Sequence, residues 1–180
     1  MKARGLIPET WADRLAHATD GYKRFQLDTV DTVVRAMFED DQRRFLVADE
    51  VGLGKTMVAR GVIAKAIEKL RGKVERIDVV YVCSNAAIAQ QNLNRLNVLK
   101  SAETTLATRL TLLPQRIRSL NAQDVNFISF TPGTTFDLKS RGGIKEERAL
   151  LHRLLSGHLG LTSTPLRNLL QGHVANESWD

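Results

Sequence analysis

One cysteine in 180 residues, Cys83, leaves no internal disulfide to be made and agrees with a reducing compartment. It ends an apolar run, which suits a small buried hydrophobe better than a nucleophile. No run approaches the about 18 consecutive apolar residues that cross a bilayer. The start, Met1-Lys2-Ala3-Arg4-Gly5-Leu6-Ile7-Pro8, has no apolar core of signal-peptide length. A cytoplasmic location with no membrane partner is the expectation. The four histidines, His17, His152, His158 and His173, have neither metal-ligand spacing nor an acidic partner pattern and read as surface or structural residues. No internal repeat is present.

What is there is an ordinary globular composition, 43% hydrophobic and 26% charged, in a chain long enough for one domain with a real core. The net charge of +6 is unevenly spread. Residues 1–50 carry 8 basic against 10 acidic side chains, residues 51–99 carry 8 against 3, and residues 100–180 carry 10 against 7. That excess suits a polyanionic partner. Part of it, Lys65, Lys69, Arg71, Lys73 and Arg76, lies near the end of an expected helix, where the dipole alone favours cations.

The chain is organised around Phe45-Leu46-Val47-Ala48-Asp49-Glu50-Val51-Gly52-Leu53-Gly54-Lys55-Thr56. A short apolar run, a loop with two glycines and a Lys-Thr pair opening an amphipathic segment predict strand, phosphate loop and helix. Gly52 and Gly54 allow the tight curl that turns successive N–H groups toward a phosphate, and the positive end of the helix favours the same charge. Gly52, Leu53, Gly54, Lys55 and Thr56 are the expected nucleotide site, Lys55 reaching the β/γ-phosphates and Thr56 holding Mg²⁺. Asp49 stands where the strict G-x-x-x-x-G-K-[ST] pattern has its first glycine.

The octet Asp49-Glu50-Val51-Gly52-Leu53-Gly54-Lys55-Thr56 resembles motif I of superfamily-2 DEAD/DEAH-like helicases and translocases, most closely the Swi/Snf-type branch, which tolerates a non-glycine at the first position. The resemblance implies an α/β P-loop NTPase fold, a RecA-like parallel sheet with helices on both faces. ATP and Mg²⁺ are then the implied cofactors, and DNA, with RNA as the alternative, the implied partner. Phe25-Gln26, opening the helix before the loop, resembles the Q motif, which implies adenine recognition by Gln26. A carboxamide presents one donor and one acceptor, the match to the N6/N7 edge of adenine.

Around the octet, Thr10-Trp11-Ala12-Asp13 has the form of a capping box opening a short helix that ends near Gly21. Leu27, Val30, Val34, Met37 and Phe38 mark one face of a second helix. Ala59, Val62, Ile63, Ala66, Ile67 and Leu70 continue the loop's helix to Arg71-Gly72. Ile77 to Val82 reads as a buried parallel strand. Ser84 and Asn85 follow as good N-cap residues for a helix from Ala86 to Leu99, and they also resemble motif Ia, which implies contact with a nucleic-acid backbone. A short strand is expected at Leu110 to Leu113, then a helix from Pro114. Val125 to Phe130 is a strand running into Thr131-Pro132-Gly133-Thr134, a Pro-Gly turn that also resembles the T-P-G-R of motif Ib. Thr131, Gly133 and Thr134 are the candidate backbone contacts there, with Thr134 in place of the family's arginine. Leu150 to Leu155 and Leu166 to Leu170 are leucine-rich helical faces, with Thr164-Pro165 as N-cap and N1 of the second.

Hydrolysis by a P-loop ATPase also needs an apolar strand ending in Asp-Glu, whose carboxylates orient Mg²⁺ and water. Ile77 to Cys83 ends in Ser-Asn, Val125 to Phe130 ends in Thr-Pro, and Asp49-Glu50 belongs to the loop itself. The arrangement expected is residues 1–44 as helices with the Q-motif-like segment, 45–135 as the ATP-binding core, and 136–180 as a helical insertion or the start of the rest of the lobe. The chain reads as the N-terminal part of the first RecA-like lobe. The remainder of the motor is expected in cis, beyond Asp180, or in trans. The alternative is a nucleotide-binding module or truncated product without turnover.

Overall fold

In the computed structural model the described residues are 9–100, 105–106, 110–131, 143–158, 160 and 164–179. Helix α1 is Glu9–Ala16, α2 is Arg24–Phe38 and α3 is Lys55–Leu70. Strand β1 (Ile77–Val82) leads to α4 (Ala86–Leu96), and β2 (Thr105–Leu106) leads to a 3₁₀ helix, Leu110–Arg116, that continues as α5 (Ile117–Asn121). Strand β3 is Val125–Phe130, followed by α6 (Lys145–His158), α7 (Thr164–Gln171) and α8 (Asn176–Trp179).

The β-branched segments pair as a parallel sheet in the order β1-β3-β2. Ile77 lies opposite Val125 and Val82 opposite Phe130, while Thr105 and Leu106 face Ile128 and Ser129. A polar cross-link sits at one matched pair, Asp78 and Asn126. Asn126 Nδ2 donates to Asp78 Oδ1 at 2.9 Å and to the Leu120 carbonyl at 3.0 Å, and Arg76 sits 2.8 Å from Asp78 Oδ2. A one-residue slip would separate these groups and turn every apolar side chain to the wrong face.

One face of the sheet carries the core. Val125 and Phe127, with Ile77, Val79 and Tyr81, pack against Leu15 and Ala18 near α1, Ala64 and Ile67 of α3, Leu93 of α4, and Val98 and Leu99. The opposite face is covered at β3, where Ile128 and Phe130 meet Leu120 and Leu113. At β1 that face, Asp78, Val80 and Val82, is exposed.

Several local expectations change. Helix α1 is Glu9–Ala16, so Thr10 lies inside it and it stops short of Gly21; α4 stops at Leu96, not Leu99; and β1, expected to be buried, is exposed on one face. Residues 41–50 have no regular structure, so the strand expected at Phe45 to Ala48 is not formed, and Leu46 is 84% exposed. A segment becomes a strand by exchanging main-chain hydrogen bonds with a neighbour, and none pairs with it among the described residues. Leu110 to Leu113 is 3₁₀ helix with Pro114 inside it, because proline holds φ near the helical value and offers no N–H to a ladder. The short strand lies earlier, at Thr105–Leu106.

Helices α2 and α3 pack side by side through Val30, Val34 and Val58, with Tyr22, Phe38 and Val62 around them. Gly61 permits that approach, since a Cβ there would lie 2.8 Å from Val30 Cγ2 and 3.2 Å from Tyr22 Cε2. Val30 is buried and β-branched, so it has little room to yield. Gly61→Val is expected to lower stability by about 2 kcal/mol, within the usual cost of overpacking a tight contact. An unchanged urea midpoint would show that α2 is not pressed against α3 here.

Candidate functional site

The loop expected to hold phosphate sits between α2 and the first turn of α3. Its two glycines have positive φ, 91° at Gly52 and 84° at Gly54, a left-handed curl that L side chains rarely adopt. Gly54 is also the N-cap of α3, so the curl delivers the chain directly into the helix. A Cβ placed on Gly52 would meet no atom within 4 Å, which leaves open space over the loop.

Lys55 turns back into this loop. Its ammonium donates to the main-chain oxygens of Asp49 (2.8 Å) and Glu50 (2.9 Å), bridging the ascending limb of the curl to the helix start. These acceptors are neutral carbonyls, and a phosphate oxygen bonds an ammonium more strongly. Thr56 is half-buried in the first turn of α3. Asp49 Oδ2 is buried and has no hydrogen-bond partner among the described residues.

Gln26 is brought to the loop and is 5% exposed. Its Oε1 accepts from the Lys23 main-chain N–H at 3.0 Å, the side-chain half of a capping box on α2. Its Nε2 donates to the Leu53 carbonyl at 2.9 Å. Tyr22, which sequence reasoning passed over, completes the support by donating from its hydroxyl to the Met57 carbonyl at 2.5 Å. Burial pushes the Tyr22 phenol above its ordinary pKa, more than the nearby Arg60 guanidinium lowers it. The hint lay in its place, four residues before Gln26 in the segment that opens α2.

The expected nucleic-acid contacts are at the carboxyl ends of β1 and β3, where parallel sheets present ligands. Ser84 and Asn85 are exposed there. Asn85 is the cap of α4, its Oδ1 accepting from Ala87 N (2.8 Å) and Ile88 N (3.2 Å), so those two N–H groups are already satisfied. Thr131 is buried, and Gly133 and Thr134 lie outside the described residues. Cys83 is half-buried, its thiol 3.0 Å from the Asn85 carbonyl. His17 does have an acidic neighbour, Asp20 at 2.7 Å, but both are exposed, and no group of His, Cys, Asp and Glu among the described residues could hold a metal unaided.

A parallel sheet flanked by helices, with a curled Gly-Lys-Thr loop capping one of them, defines an α/β P-loop NTPase of the RecA-like type. Residues 23–156 match the DEAD/DEAH box helicase family, and the chain belongs to that family. The family binds ATP with a divalent metal ion and acts on nucleic acid. Searches of curated proteins and of solved structures return no match to the chain. No helix among the described residues is long and apolar enough to cross a membrane.

The loop geometry predicts that its two glycines differ. Gly52→Ala meets only the backbone cost of a left-handed alanine, about 1–2 kcal/mol. Gly54→Ala adds a collision, because its Cβ would lie 2.5 Å from Gln26 Nε2, an amide held at both ends. Thermal unfolding should show Gly54→Ala as the more destabilised of the two. Equal losses would mean that Gln26 does not press on the loop.

Proposed function

We propose that this chain is the ATP-binding N-terminal portion of the first RecA-like lobe of an ATP-dependent superfamily-2 DNA helicase or translocase, of the Swi/Snf-type branch. The observation that carries the reading is the placement of Lys55, with its ammonium inside a loop curled by two left-handed glycines. The phosphates of ATP lie on Gly52, Leu53, Gly54, Lys55 and Thr56. Their charge gains the ammonium, the loop N–H groups and the end of α3 together.

Mg²⁺ fits the residues present as an ion carried in with the phosphates. Thr56 offers a hydroxyl to it, and the unpartnered Asp49 Oδ2 offers an acceptor to a water of its shell. No protein cage is needed for an ion that keeps most of its water. DNA runs over the carboxyl ends of β1 and β3, with Ser84 and Asn85 on one loop and Thr131 to Thr134 on the other. Because Thr131 is buried, contact there falls to the residues after it, Gly133 and Thr134. RNA is the second choice of strand. Residues 1–44, 45–135 and 136–180 serve as helical support, ATP core and added helices, and a cytoplasmic location accords with the single cysteine.

The alternative reading, a nucleotide-binding module without turnover, is favoured by one observation. Strand β1 runs on into Cys83-Ser84-Asn85 and β3 into Thr131, so neither delivers the Asp-Glu carboxylates that position metal and water. In the helicase reading the remainder of the motor, in cis or in trans, supplies those carboxylates and the second lobe.

Residues 1–180 are expected to bind Mg-ATP in a fluorescent-analogue titration, with Lys55→Ala weaker by at least about tenfold, the worth of one charge-assisted hydrogen bond. The same preparation should hydrolyse ATP far more slowly than about 1 per second, the low end of ordinary enzyme turnover, with or without DNA. Unchanged affinity in Lys55→Ala would remove the phosphate loop. DNA-stimulated turnover at ordinary rates would reveal a catalytic carboxylate among these residues.

A further inference from the structure

We propose that Met57 is an oxidation site that regulates the phosphate loop, its thioether being converted to the sulfoxide by a peroxide with loss of nucleotide affinity. The inference rests on the nucleotide reading given above and concerns how that site is controlled.

Met57 stands in the first turn of α3, two residues after Lys55, and its main chain is tied on both sides. Its N–H donates to the Gly54 carbonyl at 2.8 Å, and its own carbonyl accepts from the Tyr22 hydroxyl at 2.5 Å. The side chain, in contrast, is open to solvent, at 38% exposure. Its Sδ lies beside Gly54, 3.6 Å from the point that a Cβ there would occupy. Gly54 is the left-handed glycine that delivers the loop into the helix. One sulfur atom is therefore both within reach of a dissolved oxidant and next to the turn on which the curl depends.

A thioether is soft, apolar and unbranched, so it can rest on a turn without asking for a hydrogen bond. The Sδ lone pair attacks one oxygen of hydrogen peroxide, the O–O bond breaks as the S–O bond forms, and the departing hydroxide takes the proton of the transferred oxygen and leaves as water. Sulfur gives up two electrons and the peroxide accepts them. The product is polar and branched at sulfur. Because the Met57 main chain is held by Gly54 and Tyr22, the helix turn cannot shift to make room without losing those bonds. The new oxygen then crowds the Gly54 turn or draws the side chain off it.

Two other oxidisable groups supply the contrast. Met37 is as open as Met57, 40% exposed, but lies at the end of α2 remote from the loop. Cys83 is half-buried just beyond β1.

Titration with a fluorescent Mg-ATP analogue before and after graded hydrogen peroxide, with oxidation at each residue read by peptide mass spectrometry, tests this. The proteins are residues 1–180 carrying Cys83→Ser, and the same chain with Met57→Leu added. The Cys83→Ser chain should lose affinity by on the order of tenfold, the scale of a polar group pressed on a site that cannot pair it. The loss should follow oxidation of Met57 and not of Met37, and should reverse with methionine sulfoxide reductase. The Met57→Leu chain should bind equally before and after peroxide. Undiminished affinity with Met57 fully oxidised would overturn the proposal, as would an equal loss in Met57→Leu or a Met57 that stays reduced while Met37 is oxidised. Should Met57→Leu fail to fold, the reductase decides: affinity regained as the Met57 sulfoxide disappears supports the proposal, and affinity not regained overturns it. No binding of the analogue by the untreated chain overturns the nucleotide reading and this proposal with it.

Discussion

Two side chains converge on the same few peptides from opposite directions. Lys55, from the first turn of α3, donates to the carbonyls of Asp49 and Glu50. Gln26, from the first turn of α2, donates to the carbonyl of Leu53. Between them lie the left-handed glycines, whose freedom would otherwise cost the loop its shape. The loop is therefore held in its curl from both sides, with a cation at its base. Such preorganisation is what lets a backbone cradle bind an anion without spending affinity on ordering itself.

The rest of the fold keeps those two helix starts in register. Gly61 lets α2 and α3 approach, Tyr22 ties the α2 side to the Met57 carbonyl, and Val30, Val34 and Val58 fill the contact. On its other side α3 packs on the sheet through Ala64 and Ile67. The Asp78–Asn126 pair marks the register of β1 on β3, and with it the ends of both strands, where Ser84, Asn85 and Thr131 follow. A shift in sheet register would thus be felt at the strand ends.

Local chemistry is legible in the sequence and pairing is not. Two glycines before Lys-Thr, a β-branched run at Ile77 to Val82 and Asn85 ahead of a helical pattern each act within a few residues, and each appears where its chemistry requires it. Phe45 to Ala48 has the composition of a strand, but a strand is made by a neighbour, which composition cannot supply. Leu110 to Leu113 has β-compatible residues, yet Pro114 decides its conformation. The roles of polar side chains are hidden for a related reason. Sequence shows what Gln26 and Asn85 can offer a ligand, whereas each is also occupied by backbone that is visible only once the chain is folded. Thr131, expected in an exposed turn, lies buried at the end of β3.

On the proposed reading, residues 49–56 are a phosphate cradle whose ligand replaces neutral carbonyls as the partner of Lys55. Amide hydrogen exchange of the chain with and without Mg-ATP reads this directly, residue by residue. Slowed exchange is expected to be concentrated at Gly52 to Thr56 and the first turn of α3, with little change across β1 and β3 and none in the groove between α2 and α3 lined by Asp28, Asp31, Lys65 and Lys69. Protection in that groove with the loop unchanged, or no protection anywhere at saturating Mg-ATP, would contradict it.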